Sequence, residues 1–369
     1  MKIRTYNVQS LGGYMDCVGS IAQACKDEER NEEPPVLWFR GHDQAAYFLL
    51  PALYRNINEE KLYITEGSEA GYTKLHYAGD VRTQHYMAKN THLLQEKPSS
   101  KLEWLEVMQH HEVKTRLLDW SESAVHSLLF ALECFFDGKR YSNEKRRAVT
   151  PCVWVLNPKK LNKTIFELIF DEMSREKSSG LYQQLEGEFS LKESDCIKDI
   201  FCGPGEFSEH METMATKHID YIVNLSKITE EMLREEENVR RFLSMGRGIN
   251  PYYYVISRIY ADGLVLKNRL LPPLAIVNAY HSERVKAQKG VFTVFPHYMA
   301  HEGDKELRDF QIIPEAMEHN DAARKCLYKI NLSSPQKIAY ELMACGVNTS
   351  WLYPEMPIIA NEIENRRVL

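Results

Sequence analysis

Apolar and polar positions change period several times along the chain. Residues 1 to 30 read as a short strand and then a helix, closing in the acidic stretch Asp27 to Glu33. Pro34 and Pro35 end that helix, because proline lacks an amide proton and pushes the residue before it out of the helical region. Val36-Leu37-Trp38-Phe39-Arg40 is rich in β-formers and predicts a strand with Arg40 at its end, leading to Gly41. Leu49 to Arg55 is an apolar stretch with a closing arginine, and residues 59 to 95 carry helical spacing through Tyr72, Leu75 and Tyr86. Leu102, Leu105 and Met108 place an amphipathic helix over 101 to 111. Thr115 to Trp120 reads as a turn and strand. Ser121 is then the expected N-cap of a helix whose apolar density predicts burial on most of its surface.

Further along, Cys152 to Leu156 predicts a strand stopped by Asn157-Pro158. Residues 159 to 250 are polar and mostly helical, with a Gly-Pro-Gly break at 203 to 205 and a solvated charged face from Glu230 to Arg241. Strand patterns return at Leu274 to Ala279, Val291 to Phe295 and Leu327 to Leu332. Ser334-Pro335 supplies an N-cap and a first-turn proline for a helix from Gln336 to Ala344, with Gly346 at the C′ position. Strands separated by helices without a regular βαβ rhythm indicate an α+β fold, a mixed sheet with flanking helices. The expected organisation is a single domain over 1–369, with 159–250 as a helical insertion or subdomain.

Composition narrows this picture. The 369 residues are 44% hydrophobic and 11% aromatic, enough apolar surface for a real core. A net charge of −6 gives no support for nucleic-acid binding through overall charge. A local basic loop at 139 to 147 remains, with a solvated loop as its ordinary reading. Eight scattered cysteines without a Cys-x-x-Cys pair read as buried thiols in a reducing compartment. The N-terminus lacks an apolar core and no window is long enough for a membrane helix, so a cytoplasmic protein without membrane contact is expected.

Three segments could carry chemistry. Arg40 with Gly41 places a fork of donors beside open backbone, which suits a phosphate, carboxylate or nucleotide. The alternative use of Arg40 is an ion pair with a buried carboxylate that joins two elements. The second segment runs from Gln109 to Ser121 and concentrates His110, His111, Thr115, Arg116, Asp119 and Ser121. Histidine there could serve as acid or base, while Arg116 and Asp119 could equally be a structural pair. Adjacent histidines point apart in regular structure, so no metal site is predicted. In the third segment, Arg284 and Gln288 lie one helical turn apart on a common face, ahead of Gly290. No P-loop, G-x-G-x-x-G, H-E-x-x-H or G-x-S-x-G motif is present.

Together these segments resemble the FRG domain family, named for Phe-Arg-Gly. The matching residues are Phe39-Arg40-Gly41, then LLPALYR ending at Arg55, then MQHHEVKTRLLDWSES at 108 to 123. The last is similar to the family's Gln-His-His-Gly-x-Pro-Thr-Arg-Leu-Leu-Asp-Trp-Thr. Later matches are Arg284 to Phe292 and LMACGVNTSWLYPEM near the C-terminus. Glu112 stands where the family usually has glycine, Lys114 where it has proline, and Ser121 where it has threonine. Losing the first two turn-formers predicts an altered backbone there. Arg40, His110, Thr115, Arg116, Asp119 and Gln288 are retained, which implies a polar pocket.

The resemblance implies a bacterial or phage-associated setting, with an antiviral defence or toxin-like role and a phage or host protein as partner. Arg40-Gly41 on an early strand is also similar to the NAD-binding arginine of arginine-serine-glutamate ADP-ribosyltransferases. That family's Ser-Thr-Ser is missing here, and the one Glu-x-Glu in suitable order is Glu186-Gly187-Glu188, inside the insert. Two functions follow as expectations. One is a transferase or hydrolase acting on a nucleotide-type ligand such as NAD, with His110, Asp119 and Arg40 as reacting groups. Gly41, His111, Thr115, Arg116, Ser121, Arg284 and Gln288 would then bind substrate. The other is a ligand- or phage-sensing module without catalysis.

Overall fold

The computed structural model describes residues 2–29, 34–55, 101–136, 148–174, 260, 271–277, 283–296 and 316–353. The helical pattern at 59 to 95, the basic loop at 139 to 147 and most of the expected insertion lie outside the described residues.

Seven strands form one sheet in the order β1-β7-β4-β2-β3-β6-β5. They are β1 (Arg4–Val8), β2 (Trp38–His42), β3 (Leu117–Ser121), β4 (Cys152–Leu156), β5 (Leu274–Ile276), β6 (Gly290–Val294) and β7 (Leu327–Leu332). Only β1 and β7 pair in parallel; the other neighbours are antiparallel. The mixed sheet with helices is the expected α+β fold. Strand bounds at β4 and β7 match the sequence reading, because both runs are bordered by residues that stop pairing. Trp38–His42 starts two residues later than the pattern predicted and continues through Gly41, so Arg40 lies inside the strand rather than at its end.

Among the described residues the α-helices are α1 (Leu11–Glu29), α2 (Ala52–Arg55), α3 (Lys101–His110), α4 (Ala124–Phe136), α5 (Pro158–Ser174), α6 (Glu283–Ala287) and α7 (Pro335–Ala344). No helix among the described residues is long and apolar enough to cross a membrane.

Period-two alternation along β2 sorts its side chains. Phe39 joins Val153, Val155 and Ile330 in the main core, against Tyr14 and Ile21 of α1, Leu128 and Leu132 of α4, and Ile338 of α7. Arg40 and His42 point to the opposite face. At Gly41 the fit is closer still. A Cβ there would lie 2.0 Å from the Ser127 carbonyl oxygen and 2.6 Å from the Ala131 amide nitrogen. Gly41 is therefore glycine because α4 crosses it at backbone contact, and its backbone is covered rather than open.

At the far edge, the fully buried Asn162 side chain of α5 completes β5. Its Nδ2 donates to the Ala275 carbonyl at 2.8 Å and its Oδ1 accepts from the Ala275 amide at 2.8 Å. One side-chain amide thus does the work of a further strand at that residue.

The cap of α4 falls on Ser123, not Ser121. Ser123 Oγ accepts from the His126 amide at 3.3 Å, and its carbonyl accepts from Ser127 at 3.2 Å. Ser121 remains in β3, opposite Gly290. At the other end of the chain Ser334 does occupy the N-cap position of α7, but its side chain makes no capping bond. Gly346 takes the left-handed conformation after that helix, with φ of 78°.

Candidate functional site

The sheet parts at one place. β2 pairs with β4 along all five residues, and β3 pairs with β6 along five, yet β2 meets β3 only at Phe39 and Ser121. Beyond that pair the two strands separate, and a cleft of about 1040 Å³ opens around them. Arg40 lies where they divide.

Its guanidinium spans the gap. Nη1 donates to the Asp119 backbone carbonyl at 2.6 Å, in place of the main-chain donor a continued ladder would bring. The same Nη1 lies 3.6 Å from Asp119 Oδ2. Nε donates to His42 Nε2 at 3.0 Å. Nη2 makes no hydrogen bond among the described residues, which leaves that one nitrogen of the fork for a ligand. Burial pulls the Arg40 pKa down to about 10, against the opposing pull of Asp119, so the group stays charged at neutral pH.

His42 is buried, and desolvation, with the charges of Arg40, Arg55 and Lys329, pushes its pKa down to about 2. It is a neutral acceptor at neutral pH, with its proton on the other ring nitrogen. It orients Arg40 without neutralising it.

Asp119 is held from its other side. Gln109 Nε2 lies 3.0 Å from both Asp119 carboxylate oxygens. Gln109 Oε1 in turn accepts from the Thr115 hydroxyl at 2.6 Å, and Thr115 Oγ1 accepts from the Leu117 amide at 3.1 Å. The result is a continuous polar chain from Thr115 through Gln109, Asp119 and Arg40 to His42. It fixes a positive and a negative group side by side where the strands part.

Of the residues singled out from sequence, Arg40, Gly41, His110, Asp119, Ser121, Arg284 and Gln288 line the cleft. His111, Thr115 and Arg116 do not. Buried Arg116 donates from Nη1 to the Phe295 carbonyl at 2.6 Å, tying the approach to β3 to the end of β6. It has no part in holding Asp119. Thr115 acts through Gln109. His111 is exposed, and its ring meets that of His110 edge-on with centroids 5.0 Å apart, although adjacent positions were expected to diverge. The helix has ended by His111, which frees that ring to turn back.

Ser121 lines the cleft with its hydroxyl already engaged. It donates to the Gln288 carbonyl at 2.7 Å and accepts from the Ser123 amide at 3.0 Å. Gln288 Nε2 donates to the Leu352 carbonyl at 3.0 Å. Arg284 lies over the Tyr353 ring, 5.0 Å from its centroid. Arg55, from α2, donates through Nε to the Leu50 carbonyl at 2.9 Å. Among the described residues neither Arg55 nor Arg284 has a carboxylate partner. No group of three or more His, Cys, Asp or Glu side chains among them could hold a metal ion.

The sequence reading missed His42, Gln109 and Arg55 as site residues. His42 carried a usable signal, since two residues beyond Arg40 on a strand is the same face. Gln109 carried only its place at the head of the Gln-His-His match, because its role comes from the helix end placing it over β3.

The turn after α3 answers the question raised by the absent glycine. Glu112 takes the left-handed conformation, φ of 62°, so the backbone keeps a glycine-like shape despite the side chain. Main-chain bonds hold it there, with Glu112 N donating to Gln109 O at 3.1 Å and Val113 N to Met108 O at 3.0 Å.

No curated protein and no solved structure matches the chain. A family model does match, over residues 36–139, a stretch that supplies both sides of the parting: β2 with Arg40 and His42, and α3 and β3 with Gln109 and Asp119. The chain carries an FRG domain at residues 36–139.

Proposed function

We propose that the cleft binds an anionic, nucleotide-type ligand such as NAD and acts on it. The observation that carries this reading is Arg40. Its guanidinium is held rigid through Nε and Nη1, stays charged, and leaves Nη2 without a hydrogen bond among the described residues, at a cleft that Arg55 and Arg284 also line. Such a preorganised fork suits phosphate or carboxylate oxygens and loses little entropy on binding.

Asp119 supplies the second half. In transfer or hydrolysis of NAD, the bond from nicotinamide nitrogen to ribose C1′ breaks with its electron pair leaving on nicotinamide. Water or another nucleophile then bonds to C1′ and gives up a proton. A fixed carboxylate favours the positive charge that develops at C1′ and can accept that proton. His110, on the same cleft, is the second candidate for the proton. A bacterial defence or toxin-like setting, with a phage or host protein as partner, rests on the family resemblance alone.

The test is nicotinamide release from NAD by the purified protein, together with equilibrium binding of NAD. Turnover that Asp119→Asn abolishes while binding persists supports catalysis. Binding without any product supports a sensing module, a reading favoured by how many Arg40 donors are already committed internally. Absence of both NAD binding and turnover would sink the proposal.

A further inference from the structure

We infer that Tyr47 and Phe48 form a stacking subsite for the base of the ligand, so that the cleft selects nucleotides over simple phosphates. This deepens the proposed function and rests on it.

Both rings are more than half exposed, 56% for Tyr47 and 52% for Phe48, although each lines the cleft. Neighbouring large aromatics left in water are unusual unless something covers them. Their backbone, however, is pinned. Before them, Lys329 Nζ donates to the Ala45 carbonyl and the Ala45 amide donates to the Thr150 carbonyl, both at 2.6 Å. After them, the Leu49 amide donates to both Glu318 carboxylate oxygens at 3.1 Å. The Tyr47 amide closes a turn onto the Gln44 carbonyl at 3.1 Å. The rings are therefore presented by a loop anchored at each end.

Their placement decides what they would meet. The Tyr47 ring meets His42 edge-on, 6.2 Å between centroids, and His42 in turn accepts from Arg40. One imidazole thus separates an exposed aromatic ring from the Arg40 guanidinium. Phe48 is steadied by His319, with centroids 5.2 Å apart. A nucleotide carries a flat, uncharged π-face joined through a sugar to phosphate, which matches that order of groups. Bases stack on aromatic side chains whatever their hydrogen-bonding edge, so the subsite selects for a base without choosing among bases.

The experiment compares binding of AMP, ADP-ribose and inorganic pyrophosphate to the full chain and to Tyr47→Leu, Phe48→Leu and the double variant. Leucine keeps apolar bulk at exposed positions, and thermal melting checks that each variant folds. The expected result is that AMP and ADP-ribose bind roughly tenfold or more tighter than pyrophosphate, and that the double variant loses this advantage. Tyr47→Trp should retain it. Equal affinity of nucleotides and pyrophosphate for the wild type, or an advantage undiminished in the double variant, overturns the stacking subsite while leaving the anion site standing. If the wild type binds neither nucleotide nor pyrophosphate, the proposed function falls and the subsite with it.

Discussion

The Arg40 side chain reaches the Asp119 backbone carbonyl, at 2.6 Å, across the place where β2 and β3 stop pairing. An arginine there both satisfies a carbonyl that the parted ladder leaves open and presents charge to the cleft. Its two roles separate by substitution. Arg40→Ala removes both and should cost about 1–3 kcal/mol of stability, since a carbonyl and His42 lose their donor, while also abolishing anion binding. Arg40→Lys keeps a charge but not the fork, so it should fold better than the alanine variant and still bind anions poorly. Urea unfolding beside ligand titration checks this. Anion binding undiminished in Arg40→Ala would remove Arg40 from the site.

His42 sets a pH dependence of known sign. Its pKa drops from an ordinary 6.5 to about 2 on folding, so the unfolded chain binds more protons between these values. The stability this neutral histidine contributes is complete above about pH 6.5 and falls as the pH is lowered, by up to about 1.4 kcal/mol per unit. His126, also lowered by burial, acts in the same direction. Replacing His42 by glutamine keeps an acceptor for Arg40 Nε and removes the titration. Chemical unfolding from pH 7 to pH 5 should then show a shallower loss than wild type, and parallel curves would contradict the assignment.

Glu112 occupies a left-handed backbone that costs a non-glycine residue roughly 1–2 kcal/mol. Glu112→Gly should relieve part of this and raise stability by about 1 kcal/mol after the entropy of glycine is counted. A β-branched residue such as valine should do the opposite. A midpoint shift in urea measures both changes, and a destabilised glycine variant would show that the Glu112 side chain contributes more than the turn costs.

Gly41 tolerates nothing larger. Its missing Cβ would strike main-chain atoms of Ser127 and Ala131, which no rotamer change can move. Gly41→Ala should therefore cost more than about 3 kcal/mol, or abolish soluble expression. That loss belongs to the fold, and a folded variant with near-normal melting would contradict the close approach of α4.

Much of this was legible in sequence. The strands at Cys152–Leu156 and Leu327–Leu332 and the burial of α4 follow from local pattern. So does the left-handed Gly346. Arg116 and Asp119 were harder. They are neighbours in one motif with the chemistry of an ion pair, yet Arg116 holds Phe295 and Asp119 holds Gln109. Residues three apart on extended chain face opposite sides, so their proximity in sequence keeps them from meeting.

The Trp-Phe-Arg-Gly run by itself determined that a β-strand would carry its arginine on the face opposite Phe39, because alternation is a property of the local backbone. Only tertiary structure decided what the arginine and glycine are for. The neighbouring strand departs after a single pair, so Arg40 faces a cleft instead of a ladder. The crossing helix arrives at contact distance, so Gly41 serves packing instead of a ligand. Both outcomes depend on elements more than seventy residues away in the chain, from β3 onward, whose position no local pattern encodes.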